Sequence, residues 1–170
     1  MKRVLEVAER GQRLSFSFED LMRYHGPGSP GGVAHAYKVL ERALPLLAPG
    51  GLCERREILV ETAFGGPGAR DAFELVTRAV SDDRYRVDPS LARPERGRAM
   101  ERFVFRLAYR GRVTTLAVRE GFVTDEFIEL ARTEPRSADQ ELRLDALKRE
   151  MAERVMARPA GEVYEASEPA

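Results

Sequence analysis

The chain has 170 residues, of which 28 are basic and 28 acidic, so it carries no formal net charge. That balance excludes a general electrostatic pull toward nucleic acid or an anionic membrane, which needs a positive excess. A single cysteine, Cys53, excludes an intramolecular disulfide and any multi-thiolate metal site, and 43% hydrophobic residues over this length suit one domain with its own core.

No apolar core follows Met1-Lys2-Arg3, so no signal peptide is expected. No apolar run approaches the roughly 18–20 residues of a membrane span. The expected location is the cytoplasm, with no membrane partner.

In chain order, residues 1–14 read as an irregular or helical lead. Ser17 caps a short helix in which Phe18, Leu21 and Met22 share a face, and Asp20 lies near its positive end. Gly26-Pro27 stops it. After Pro30-Gly31-Gly32, the residues Val33, Ala36, Tyr37, Leu40, Ala43, Leu44 and Leu47 recur at helical spacing and predict a buried face. Pro45 falls near the end of that helix. Residues 58–64 form a buried-strand candidate. Gly65-Gly66-Pro67-Gly68 then leads to a helix from Ala69 to about Ser81, with Ala72, Phe73, Val76 and Val80 as its stripe.

Residues 82–98, rich in Arg, Asp and Pro, predict an exposed loop. Residues 103–109 and 113–118 flank Arg110-Gly111-Arg112 and predict a β-hairpin. Thr124 caps a helix carrying Asp125 and Glu126 in its first turn. Ser137 caps a longer one to about Ala157, with Leu144, Leu147, Met151 and Val155 in its stripe and Leu142 at the margin. The polar, acidic stretch 158–170 predicts a disordered tail. The expected fold class is therefore α+β: a small antiparallel or mixed sheet with a C-terminal hairpin, packed against several helices. Residues 1–134 form a single α/β domain in this scheme, and 135–157 an amphipathic C-terminal helix. That helix packs on its own domain or on a second subunit, and a homodimer is the default for such an element.

The segment His25-Gly26-Pro27-Gly28-Ser29-Pro30-Gly31-Gly32 opens directly into a helix. The first helical N–H groups lack partners and the dipole is positive there, so a glycine-rich approach favours a phosphate or carboxylate. His25 and Ser29 add polar side chains, but the spacing fits neither GxGxxG nor GxxxxGK[ST]. Gly65-Gly66-Pro67-Gly68 has the same form after a strand, with Glu61 and Asp71 beside it. The expected ligand site thus lies between the 25–32 and 65–71 loops and uses His25, Gly26, Ser29, Gly31, His35, Glu61, Gly68 and Asp71. The plainer alternative is a tight connector between two helices, with Asp71 favoured at a helix start by the dipole.

Ser17-Phe18-Glu19-Asp20-Leu21 followed by Tyr24-His25-Gly26-Pro27-Gly28-Ser29-Pro30-Gly31 resembles the start of the formylmethanofuran dehydrogenase E-subunit-like family, which carries His-Gly-His-x-Cys-Pro-Gly after a similar helix. Val60-Glu61-Thr62, Asp71-Ala72-Phe73-Glu74-Leu75-Val76-Thr77 and Gly97-Arg98-Ala99-Met100 with the following strand resemble later stretches of that family, in order, over about residues 15–120. The departures fall on the family's metal ligands. Pro27 stands at its second histidine, Ser29 at its motif cysteine and Gly68 at the cysteine before Asp-Ala. Of those positions only His25 keeps a ligand type. The resemblance implies the fold and the pocket location without carrying over a zinc site.

Two other constellations point elsewhere. His25, His35, Glu61 and Asp71 form a candidate nitrogen and oxygen ligand set for a metal, so the cofactor is either none or such a metal. Residues 93–112 hold seven arginines (93, 96, 98, 102, 106, 110, 112) against Glu95 and Glu101, a candidate surface for an anion or nucleic acid. Phe103, Phe105 and Tyr109 share the opposite strand face, which favours a core face backed by an arginine-lined solvent face. The functional expectation is a small-molecule or anion pocket, in an enzyme or a ligand-binding accessory. The alternatives are binding through these arginines or an interaction module acting through its terminal helix.

Overall fold

A computed structural model describes residues 3–167. The chain opens with strands β1 (Leu5–Glu9) and β2 (Gln12–Phe16), an antiparallel hairpin turned by Arg10 and Gly11, both at positive φ. The lead expected over residues 1–14 is therefore β-structure where it is described. Leu5 and Val7 alternate inward and are buried. The Glu54 carboxylate accepts the backbone N–H groups of Arg10 and Gly11 at 3.0 and 2.8 Å, fixing the turn to the body.

Helix α1 (Phe18–His25) starts at a reciprocal capping box. Ser17 Oγ accepts from Asp20 N and the Asp20 carboxylate accepts from Ser17 N. Gly26, at φ +90°, ends it. Helix α2 (Pro30–Leu47) begins with proline in its first turn and is buried from Gly31 to Leu40, so it is the hub of the core rather than a surface helix. Pro45 is accommodated inside its last turn.

Strand β3 (Leu59–Thr62) leads to helix α3 (Pro67–Thr77), which ends where Arg78 enters the left-handed region. Within the 82–98 stretch, expected as a loop, strand β4 (Tyr85–Val87) pairs parallel with β3. Strands β5 (Val104–Tyr109) and β6 (Arg112–Val118) form the predicted hairpin. Helices α4 (Asp125–Ala131) and α5 (Ala138–Met156) follow, each with the predicted cap: Thr124 for α4 and a Ser137–Gln140 box for α5.

The C-terminal stretch departs most from expectation. Residues 158–167 are ordered: a one-turn helix α6 (Ala160–Val163) runs into strand β7 (Tyr164–Ala166), which pairs antiparallel with β6. Val163 and Tyr164 are fully buried. The rest of the expected disordered tail, 168–170, lies outside the described residues.

The larger sheet has the order β4-β3-β5-β6-β7, antiparallel except for the β3–β4 pair. Val60, Phe105, Leu107, Leu116 and Tyr164 point into the core, whereas Leu59 and Arg106 face outward. Helix α2 crosses the inner face, with α3 on one flank and α5 on the other. The architecture is α+β, as expected. Leu144, Leu147, Met151 and Val155 are buried within the same chain, and α5 packs on α2. The stripe considered for a second subunit is thus occupied intramolecularly, and α5 is part of the domain. Leu142 lies off the stripe, 68% exposed. No helix among the described residues is long and apolar enough to cross a membrane.

Candidate functional site

The two glycine-rich loops meet. A Cβ built on Gly32 would lie 3.1 Å from the backbone nitrogen of Ala69. One built on Gly68 would fall on the Ser29 carbonyl oxygen and lie 3.0 Å from Val33 N. Glycine at both positions lets the first turns of α2 and α3 touch backbone to backbone. Two helix N-termini, each a region of positive potential, therefore open side by side.

They open onto a cleft of about 480 Å³. Ser29, Gly32 and the Phe64–Gly68 loop form one wall, and the turn carrying Arg98, Ala99 and Arg102 forms a second. Helices α4 and α5 close the third with Phe127, Ile128, Leu144 and Met151. Phe103 lies on the floor with the Phe64 ring stacked on it, centroids 4.4 Å apart. Five cationic side chains line the cleft (Arg98, Arg102, Arg132, Arg136 and Lys148), and no lining residue is acidic. Three of the five are engaged. Arg132 lies 3.5 Å from Glu101, Arg136 pairs with Glu141 at 2.9 Å and donates to carbonyls at the end of α4, and Lys148 Nζ donates to the Gly28 carbonyl at 3.2 Å. Arg98 and Arg102 are exposed and have no hydrogen bond or ion pair among the described residues.

Of the residues predicted for the site, Ser29 and Gly68 line this cleft. His25 and Asp71 are brought together next to it. His25 Nδ1 donates to Asp71 Oδ2 at 2.8 Å, and the imidazole is 7% exposed. That bond ties the last residue of α1 to the first turns of α3. His25 Nε2 is buried without a partner, and the space over Gly28 adjoins it. Gly26 serves to end α1. Gly31 packs against the Met151 side chain so closely that a Cβ there would collide with it.

The remaining candidates lie elsewhere. His35 is fully buried in the core, its Nδ1 hydrogen-bonded to the Tyr164 hydroxyl at 2.8 Å and its ring 4.7 Å from that of Phe103. Burial first, and the charge of Arg154 second, push its pKa down to about 3, so it is a neutral core residue. Burial likewise raises the Tyr164 phenol well above its ordinary range. Glu61 pairs with Arg106 at 3.6 Å on the outer sheet face. The four residues considered for a metal therefore do not converge, and among the described residues no three His, Cys, Asp or Glu side chains gather to hold one. The resembled family's ligand positions do not fit a metal either. Pro27 and Gly68 offer no donor atom, and Asp71 takes one nitrogen of the His25 imidazole. The Cys53 thiol is buried and raised to about 12, which leaves it unreactive.

The seven arginines of 93–112 do not form one surface. Arg96 pairs with Glu165, Arg106 with Glu61 and Arg110 with Glu57, and Arg112 donates to the Leu46 carbonyl. Sequence reasoning missed the contribution of α4 and α5 to the site. Arg132, Arg136 and Lys148 are spaced as ordinary solvent-facing charges, and only the docking of α5 on α2 turns them toward the loops. No protein-family model matches the chain, and no curated protein matches it.

Proposed function

We propose that this protein binds a small organic anion in the cleft between its two glycine-rich loops, the Arg98–Arg102 turn and the α4–α5 pair. The observation that carries this reading is the lining itself: five cationic side chains and no carboxylate around an apolar floor. Two of the five, Arg98 and Arg102, have no counter-charge among the described residues, and an anion supplies one. The paired N-termini of α2 and α3 add to the same potential. A volume of about 480 Å³ lies within the usual range for small-molecule sites.

The resemblance to the formylmethanofuran dehydrogenase E-subunit-like family belongs to the same proposal. Support comes from the meeting of Ser29 with Gly68, and of His25 with Asp71, at the junction of the helix starts. In this reading the pocket location is kept while the chemistry is anion binding without a metal. The His25–Asp71 pair holds α1 against α3 and does not contact the ligand.

Thermal unfolding with inorganic phosphate or citrate tests the proposal. Binding to the folded state raises Tm with anion concentration. The expected result is a rise that shrinks with added sodium chloride and disappears in R98A/R102A, while the variant's own Tm stays that of the parent. A Tm indifferent to every anion, or a rise unchanged in R98A/R102A, removes the reading.

A further inference from the structure

We infer that the cleft's ligand is amphipathic, with an anionic head group held by Arg98 and Arg102 and a hydrocarbon body laid on the accessible apolar lining, Phe64, Pro67, Ala99 and Ala131. The inference rests on the anion site proposed above and adds the chemical class of what fills it.

The cations divide into two kinds. Arg132, Arg136 and Lys148 already have partners within the chain, so they set the potential of the cleft and hold its walls. Arg98 and Arg102 have none among the described residues. They stand four residues apart in the turn that the Glu101 N–H closes onto the Gly97 carbonyl at 2.9 Å, and both line the cleft. Two free guanidinium forks lining one cleft suit a phosphate monoester or a carboxylate, each of which accepts paired N–H donors. Glu101 between them is turned away to Arg132.

Below these forks the surface changes character. Phe103, Ile128, Leu144 and Met151 are buried or nearly so, and Phe64 lies flat on Phe103. A Cβ at position 66 would strike the Phe64 ring, so Gly66 is what lets that ring lie down on the floor. Inorganic phosphate would fill only the cationic rim of such a cleft and leave its accessible apolar lining, Phe64, Pro67, Ala99 and Ala131, in water. A neutral hydrocarbon would cover that lining and leave the two guanidinium groups without a counter-charge. An alkyl or aryl acid satisfies both.

The test is calorimetric titration of the full chain, at one ionic strength, with inorganic phosphate, hexyl phosphate, heptanoate and 1-hexanol. Each methylene buried on binding corresponds to roughly fourfold in Kd. Hexyl phosphate is expected to bind at least about tenfold tighter than inorganic phosphate, and tighter than 1-hexanol by a similar factor or more. R98A/R102A is expected to lower hexyl phosphate to the level of 1-hexanol without moving Tm. Heptanoate against hexyl phosphate identifies the head group, and a clear preference in either direction supports the inference. Equal affinity for inorganic phosphate and hexyl phosphate overturns the amphipathic ligand but leaves the anion site standing. Equal affinity for 1-hexanol and hexyl phosphate overturns the anion site itself, and no binding by any of the four overturns both. The chain-length comparison uses only the parent protein, so it stands even if the double variant folds poorly.

Discussion

The Tyr164 hydroxyl and His35 Nδ1 share a 2.8 Å hydrogen bond at a point solvent does not reach, joining the final strand to the central helix. His35 has no partner for its other ring nitrogen, so this bond is the imidazole's single satisfied contact. Y164F removes it and leaves a second buried polar atom unpaired. The expected loss is about 1–3 kcal/mol of unfolding free energy, read by urea denaturation at neutral pH. An unchanged midpoint would mean that the pair contributes nothing.

The same histidine sets an acid limit. Its folded pKa is about 3 against an ordinary 6.5, so the unfolded chain binds a proton there that the folded chain refuses. Its contribution is fully present above about pH 6.5 and is lost as pH falls toward 3. The slope it adds is at most about 1.4 kcal/mol per pH unit. Denaturation curves across this window should show H35L with a flatter acid limb than the parent. Identical limbs would show that His35 does not govern acid unfolding.

The His25–Asp71 bond is expected to matter for stability and not for ligand binding. H25A removes a charge-assisted bond between α1 and α3 and should cost about 2 kcal/mol. Because His25 does not line the cleft, the anion-dependent rise in Tm should persist in H25A. Loss of that rise with an unchanged starting Tm would place His25 at the ligand instead.

The crossing of α2 and α3 is predicted to reject any side chain at position 68. G68A brings a methyl group onto the Ser29 carbonyl oxygen, a backbone atom that cannot swing aside. The expected destabilisation is about 2–3 kcal/mol. G51A is the control, since nothing lies within 4 Å of a Cβ there, and it should be neutral or slightly stabilising. Similar midpoints for the two variants would contradict the close approach.

Ending the chain after Arg158 removes α6 and β7 together. Val163 and Tyr164 are fully buried, and each side chain is worth about 2 kcal/mol in burial alone. The truncated chain is expected to lose more than about 4 kcal/mol and to become sensitive to proteolysis at neutral pH. A truncated protein that melts like the parent would restore the disordered-tail expectation.

The helices are largely legible because their ends carry chemistry. Ser17, Thr124 and Ser137 each cap the helix that their position predicts, and Pro30 and Pro67 sit in first turns. The two hairpins show where such legibility stops. Both turn on an Arg-Gly pair at positive φ, at 10–11 and at 110–111. The second is flanked by long apolar alternation and is readable. The first is flanked by Glu6, Glu9, Gln12 and Arg13, and its pairing is held by Glu54 from far along the chain. Strand β7 is two steps less visible. Its Tyr164 stands among Glu162, Glu165 and Ser167, and what buries it is the β6 edge and His35, neither of which leaves a local signal. The site divides the same way. The glycine-rich loops are contiguous motifs, whereas the cationic rim is assembled from three segments that meet only in the fold.

The contact at Gly68 also limits which residues can stand there. The resembled family carries a cysteine at this position, and any cysteine there has a Cβ. In this chain that carbon has no place unless α2 and α3 separate at their starts. Placing a thiolate at position 68 therefore takes more than one substitution, because the helix crossing is closed over it. A metal ligand supplied by a side chain at this position would first require the two helix starts to move apart.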